Sequence, residues 1–148
     1  MFTFDIIVAC CNKSGIGHCG DIPWHIKSDL KHFRKLTTEC PKGYRNVVIM
    51  GRKTWESLPE QYRPLPNRYN IVLTSNSVYL NKYMNDERYH NNVRTYRSFD
   101  DAMDVLNRTT HTFKYNKIFV IGGEGVYKEA INNRYCNKIY LTKIYKNY

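Results

Sequence analysis

The chain has 148 residues, 42% of them hydrophobic, which suits one domain able to bury a core. Its formal net charge of +10 is spread along the length without a dense basic block, so a nucleic-acid partner is not expected and a phosphorylated or carboxylated small molecule is drawn in as readily. The amino-terminal apolar run carries Asp5 and no basic leader and is too short to span a bilayer, while five cysteines without a Cys-x-x-Cys pair fit neither a disulfide framework nor a zinc site. The expectation is a cytoplasmic protein in a reducing compartment, with no membrane and no metal.

In chain order, Thr3 to Ala9 predicts a buried strand. Next comes Gly15-Ile16-Gly17-His18-Cys19-Gly20-Asp21-Ile22-Pro23-Trp24. Its glycines permit a loop that lies against a ligand and changes shape, Ile22 and Trp24 can close that loop over something apolar, and Pro23 bars a helix from starting earlier. The stretch reads as a lid. From Ile26 to Thr37, the residues Ile26, Leu30, Phe33 and Leu36 recur at helical spacing with Lys27, Lys31, Arg34 and Lys35 opposite, which predicts an amphipathic helix. Asp29 falls within the apolar arc, between Phe33 and Leu36. It caps the helix with Ser28, pairs with a buried backbone donor, or meets the polar edge of a ligand; the glycine-rich lid beside it tips the balance toward a ligand.

Further strands are predicted at Asn46 to Met50, Asn70 to Thr74, Val93 to Tyr96, Ile118 to Ile121 and Lys138 to Tyr145. Helices are predicted at Lys53 to Leu58, Asp100 to Leu106 with Ser98 as cap, and Gly125 to Ile131. The alternation argues for an α/β fold, a mostly parallel central sheet flanked by helices. Asn76 to Asn92, crowded with Asn, Tyr and charge, reads as irregular surface. Two strand-to-helix junctions carry anion-binding chemistry. At Gly51-Arg52-Lys53-Thr54, glycine turns the chain, and helix amides, two cations and a hydroxyl can meet a phosphate. Gly122-Gly123-Glu124-Gly125 follows a second apolar strand, although its spacing is not the usual dinucleotide fingerprint. Glycine there can equally serve close packing, and Arg52 can simply be solvated; together the junctions point to a nucleotide with more than one phosphate.

These segments, taken together, resemble dihydrofolate reductase: the lid from Ile16-Gly17 to Trp24, Asp29 with Phe33, Val48-Ile49-Met50-Gly51-Arg52-Lys53-Thr54-Trp55, Arg63-Pro64-Leu65-Pro66-Asn67-Arg68, and Ile121-Gly122-Gly123 through Tyr127. They stand in the family's order and at suitable spacing, and the resemblance runs from Ile6 to about Tyr145. It implies reduction of dihydrofolate to tetrahydrofolate by hydride from NADPH, in support of one-carbon and thymidylate metabolism, and sensitivity to antifolates.

The resemblance implies roles residue by residue. Asp29 would accept hydrogen bonds from the pterin's ring nitrogen and amino group, favouring the protonated ring that takes hydride more easily. Ile22 and Trp24 of the lid, with Thr142, would order water at the pterin edge. Ile7, Leu30 and Phe33 would sandwich the pterin and benzoyl groups, and Arg68 would take the carboxylate of the glutamate tail. Ala9, Ile16 and Ile121 would hold the nicotinamide, with Gly20 and Gly125 beside the cofactor. Arg52, Lys53 and Thr54 would meet its phosphates, and Thr74 and Ser75 its adenosine ribose. Some members have an arginine where Ser75 stands; this chain resembles those that use the arginine matching Arg52 for the ribose phosphate, so NADPH is favoured over NADH. The family has a cis peptide at Gly122-Gly123, with Tyr127 following.

One departure stands out. Family members continue beyond the position of Tyr148 with a loop and two further strands, so the resemblance implies one domain over 1–148 that lacks the carboxy-terminal hairpin. Ile139, Leu141 and Ile144 would then lie near an exposed edge. A fragment of a longer product, one continuing into or associating with thymidylate synthase, accounts for this. Two alternatives remain open at this stage: a pterin- or pyrimidine-reducing relative, and a catalytically weak fragment that only binds a ligand or partner.

Overall fold

A computed structural model describes residues 2–11, 27–59, 63–76, 78–79, 89, 92–110, 112 and 114–144, with the side chains of 9–11, 27–32 and 141–144 outside that description. Strand β1 (Phe4–Cys11) leads to helix α1 (Lys27–Thr38), β2 (Arg45–Gly51), α2 (Arg52–Ser57), β3 (Arg68–Leu73), β4 (Val93–Tyr96), α3 (Phe99–Arg108), β5 (Tyr115–Gly122), α4 (Glu124–Ile131) and β6 (Cys136–Ile144). The strands form one six-stranded sheet in the order β4-β3-β2-β5-β1-β6, and every pairing is parallel. The lid, Gly15 to Trp24, lies outside the described residues.

Period-two alternation along the strands builds two cores from one sheet. Phe4, Ile6, Val8, Val47, Ile49, Ile71, Ile118 and Val120 pack on one side with Phe99, Ala102, Met103 and Leu106 of α3 and Tyr127 and Ala130 of α4. On the other side Ile7, Val48, Met50, Val72, Phe119 and Ile121 pack with Phe33 of α1 and Trp55 of α2. Covering both faces is why Asn46 to Met50 is buried without interruption. Helix α3 starts as its sequence dictates: Ser98 Oγ accepts from the Asp101 amide at 3.1 Å, and Asp100 and Asp101 meet the positive end of the helix.

Sequence and structure differ in places that matter. Strand β3 begins at Arg68 rather than Asn70, because Asn46 and Arg68 already pair across β2 and β3; it ends at Leu73, leaving Thr74 just beyond. Strand β6 begins at Cys136 rather than Lys138, and α2 begins at Arg52. The irregular-surface reading of Asn76 to Asn92 fails at Tyr89, which is buried with its ring edge-on to Trp55 at 6.1 Å. Strand β6 pairs only with β1 among the described residues, and Ile139 on it is 42% exposed.

Since all strands run the same way, their carboxyl ends share one edge. β5 enters between β2 and β1, breaking the sequential order of strands there. Parallel α/β sheets seat ligands at such a break.

Candidate active site

The two glycine junctions that lie far apart in sequence meet at this edge. Met50 of β2 pairs with Gly122 of β5, and a Cβ placed on Gly51 would come within 4.0 Å of the Gly123 nitrogen. Gly122 has φ +141°, a conformation reserved for glycine, and a Cβ there would stand 3.1 Å from Thr54 Oγ1. A Cβ on Gly123 would stand 3.2 Å from the same oxygen, and the Gly122-Gly123 peptide is cis. The space is a cradle that any side chain would fill. Thr54, expected with Arg52 and Lys53 to offer its hydroxyl to an anion, is buried with its Oγ1 against this joint.

Arg52 and Lys53, one step further out, are exposed. Arg52 is held loosely: its Nε lies 3.9 Å from Glu56 Oε1, and its guanidinium lies 5.7 Å from the centre of the Tyr79 ring. The Tyr79 hydroxyl donates to Glu56 Oε2 at 2.6 Å, and desolvation, then that hydrogen bond, pushes its pKa up to about 12. Beyond β3, Thr74 Oγ1 accepts from the Asn76 amide at 3.2 Å, and Ser75 is exposed. Gly125 is exposed with open space around it. Tyr127 ties the cradle to β1: its amide donates to the Gly123 carbonyl and its hydroxyl to the Ile7 carbonyl, both at 2.8 Å.

Ile7, Phe33, Leu65 and Ile121 belong to one buried cluster, the apolar floor beside the cradle. Ala9 and Thr142 are partners in the β1/β6 register, and Asp29 and Leu30 lie in the first turn of α1; these positions are defined through the backbone alone. Ile16, Gly20, Ile22 and Trp24 lie outside the described residues.

Arg68 closes the far end. It is 2% exposed; its Nε donates to the Pro66 carbonyl and Nη1 to Thr37 Oγ1, each at 2.9 Å. No carboxylate pairs with it among the described residues. Burial, then the nearby Arg34, lowers its pKa to about 10, so it remains charged at neutral pH. Among the described residues this desolvated cation is met by neutral oxygens alone, and a buried charge of that kind is a candidate to take an anion.

Sequence reasoning overlooked the polar residues behind Arg68. Thr37 Oγ1 also donates to the Phe33 carbonyl at 2.8 Å. Asn46 Nδ2 donates to the Thr37 and Glu39 carbonyls, and its Oδ1 accepts from the Lys117 amide. Asn70 Nδ2 donates to the Leu65 and Arg68 carbonyls, and its Oδ1 accepts from the Leu65 amide. All three are buried, and a buried Asn within a strand run was the available signal.

An α/β sheet thus carries a glycine cradle with cations at its rim, an apolar floor beside it, and a buried guanidinium at the start of β3. The family model described as dihydrofolate reductase matches residues 3–148. The dihydrofolate reductases of Aedes albopictus and Drosophila melanogaster are 38% and 37% identical, over 97% and 100% of this chain and 74% and 76% of theirs. A bifunctional dihydrofolate reductase-thymidylate synthase of Arabidopsis thaliana is 40% identical over 96% of the chain, which spans only 24% of that relative. The solved structure of Schistosoma mansoni dihydrofolate reductase superposes with a TM-score of 0.79 at 32% identity, covering 99% of this chain and 76% of that one. The chain belongs to the dihydrofolate reductase family.

Proposed function

We propose that this chain reduces dihydrofolate to tetrahydrofolate with NADPH. The observation that carries the reading is Arg68, a buried charge with no acidic partner among the described residues, on the same sheet as the glycine cradle. A pterin or pyrimidine without a carboxylate tail has no use for it. A folate does.

The residues fit the cofactor. A dinucleotide backbone needs room to pass Gly122 and Gly123, where a Cβ would crowd Thr54, and its phosphates need cations such as exposed Arg52 and Lys53. NADPH, when bound, supplies the hydride. Thr74 and Ser75 would face its ribose, Arg52 the ribose phosphate, and Ala9, Ile16, Gly20, Ile121 and Gly125 would border the rest. The chain's own contribution is positioning and proton control. Asp29 would fix the pterin through two hydrogen bonds and favour its protonated form; Ile22, Trp24 and Thr142 would govern the water that delivers the proton. Ile7, Leu30 and Phe33 would hold the ring and benzoyl group, and Arg68 the tail. Free thiols at Cys40 and Cys136 support a reducing, cytoplasmic setting, and the bifunctional relatives support fusion or association with thymidylate synthase.

The test is NADPH oxidation by the purified chain with dihydrofolate, alongside Asp29→Asn. Turnover by the parent that is lost in the variant supports the reading. Unchanged turnover in the variant removes Asp29 from the mechanism, and a parent that binds neither NADPH nor a pterin overturns the whole.

A further inference from the structure

Arg68 has no counter-ion among the described residues, and what keeps it in one geometry lies behind it. Its two hydrogen bonds to Pro66 and Thr37 use two of the five N–H donors of a guanidinium. Among the described residues the other three find no partner, enough for a two-toothed carboxylate. Pro66 offers a backbone carbonyl, which no substitution of its side chain removes. Thr37 offers a hydroxyl, which only the sequence supplies. That hydroxyl is itself oriented: it donates to Phe33, so its lone pairs face Nη1. The Thr37 carbonyl is held by Asn46, which also holds the Lys117 amide of β5, so the end of α1 is pinned to the sheet.

Resting on the reading of Arg68 as the tail receptor, we infer that Thr37 is a positioning residue that sets selectivity for ligands with a carboxylate tail by fixing the Arg68 guanidinium, with Asn46 fixing Thr37. Thr37 touches no reacting atom. Its removal lets the guanidinium rotate and leaves a buried N–H unpaired, and the loss falls on the tail alone.

The experiment compares two probes, a diaminopteridine antifolate carrying p-aminobenzoylglutamate and the diaminopteridine ring alone. Their dissociation constants are measured for the parent, Thr37→Val, Thr37→Ser and Arg68→Leu. The ratio between the probes reports the tail, and ring binding reports an intact fold. Thr37→Val is expected to shrink the ratio about tenfold, the worth of a hydrogen bond to a charged group. Thr37→Ser, which retains the hydroxyl, stays within about twofold of the parent ratio. With dihydrofolate, Thr37→Val raises KM while kcat changes little. A parent ratio retained in Thr37→Val while Arg68→Leu abolishes it overturns the role of Thr37 and leaves that of Arg68 standing. A ratio unchanged in Arg68→Leu overturns both. If Thr37→Val does not bind the ring, Thr37→Ala takes its place, with the same ratio deciding.

Discussion

Arg68 is buried on β3 and met by two neutral oxygens, whereas Arg52, half-exposed at the start of α2, faces Glu56 four residues along. Both are given to ligands in the proposed function, yet they hold positive charge by opposite means. Around Arg68 the desolvation cost is met by preorganised dipoles from α1 and the chain just before β3, so its charge is screened by salt far less than one at the surface. Around Arg52 the charge is cheap, mobile and screened by salt. The cradle between Gly51 and Gly122 obtains its specificity from missing side chains instead. On the proposed function, one end would select by a fixed cation and the other by room for a backbone with cations at its rim.

The largest expected effect comes from filling the cradle. Gly122→Ala forces a side chain into φ +141° and against Thr54 Oγ1, and should cost about 3 kcal/mol of stability, read by denaturant unfolding, along with NADPH affinity. Retained cofactor binding would mean that the room at Gly122 is not used. Arg68→Leu should weaken binding of the glutamate-bearing antifolate about a hundredfold, the usual cost of breaking a desolvated charge pair. The same variant should melt close to the parent temperature, because the two hydrogen bonds lost to Pro66 and Thr37 are offset by relief of the desolvation cost of a buried cation. A large drop in Tm would show that Arg68 supports the fold more than it serves a ligand.

A smaller effect follows at Tyr127. Tyr127→Phe removes the bond to the Ile7 carbonyl and should cost about 1 kcal/mol. Burial raises the Tyr127 pKa above its ordinary value of 10.0, so the folded state prefers the neutral phenol; that contribution is intact below pH 10.0 and fades as pH rises beyond it. Unfolding measured against pH should therefore show a shallower alkaline decline in the variant. Arg52→Gln gives the smallest change, about a threefold loss of NADPH affinity at low salt that shrinks as salt is added. A loss independent of salt would place Arg52 with Arg68 as a desolvated receptor and erase the contrast.

The fold was legible where pattern and burial coincide. Asn46 to Met50 and Ile118 to Ile121 read as strands of a sheet covered on both faces, and each strand proved to feed both cores. Gly51 and Gly122 were legible as junctions because glycine there has a steric cause, and the cis peptide at Gly122-Gly123 agrees with the family resemblance. What escaped was polar and dependent on distant partners. Thr37 bonds to a residue 31 positions away and Asn46 to one 71 away, and a Thr or Asn says nothing locally about such a partner. The burial of Thr54 against Gly122 and Gly123 was not legible, because those neighbours come from a distant part of the chain. Tyr89 was lost in a run of Asn and charge because its burial rests on a partner distant in sequence, the ring of Trp55.

The central claim is a reductase whose fixed cation recognises a folate tail, and turnover with two substrates tests it most directly. NADPH oxidation is followed with dihydrofolate and with a dihydropterin that lacks the aminobenzoylglutamate group. The account predicts turnover with both and a kcat/KM at least tenfold higher for dihydrofolate, a preference that Arg68→Leu removes. Equal kcat/KM for the two substrates, or no oxidation with either, would contradict it.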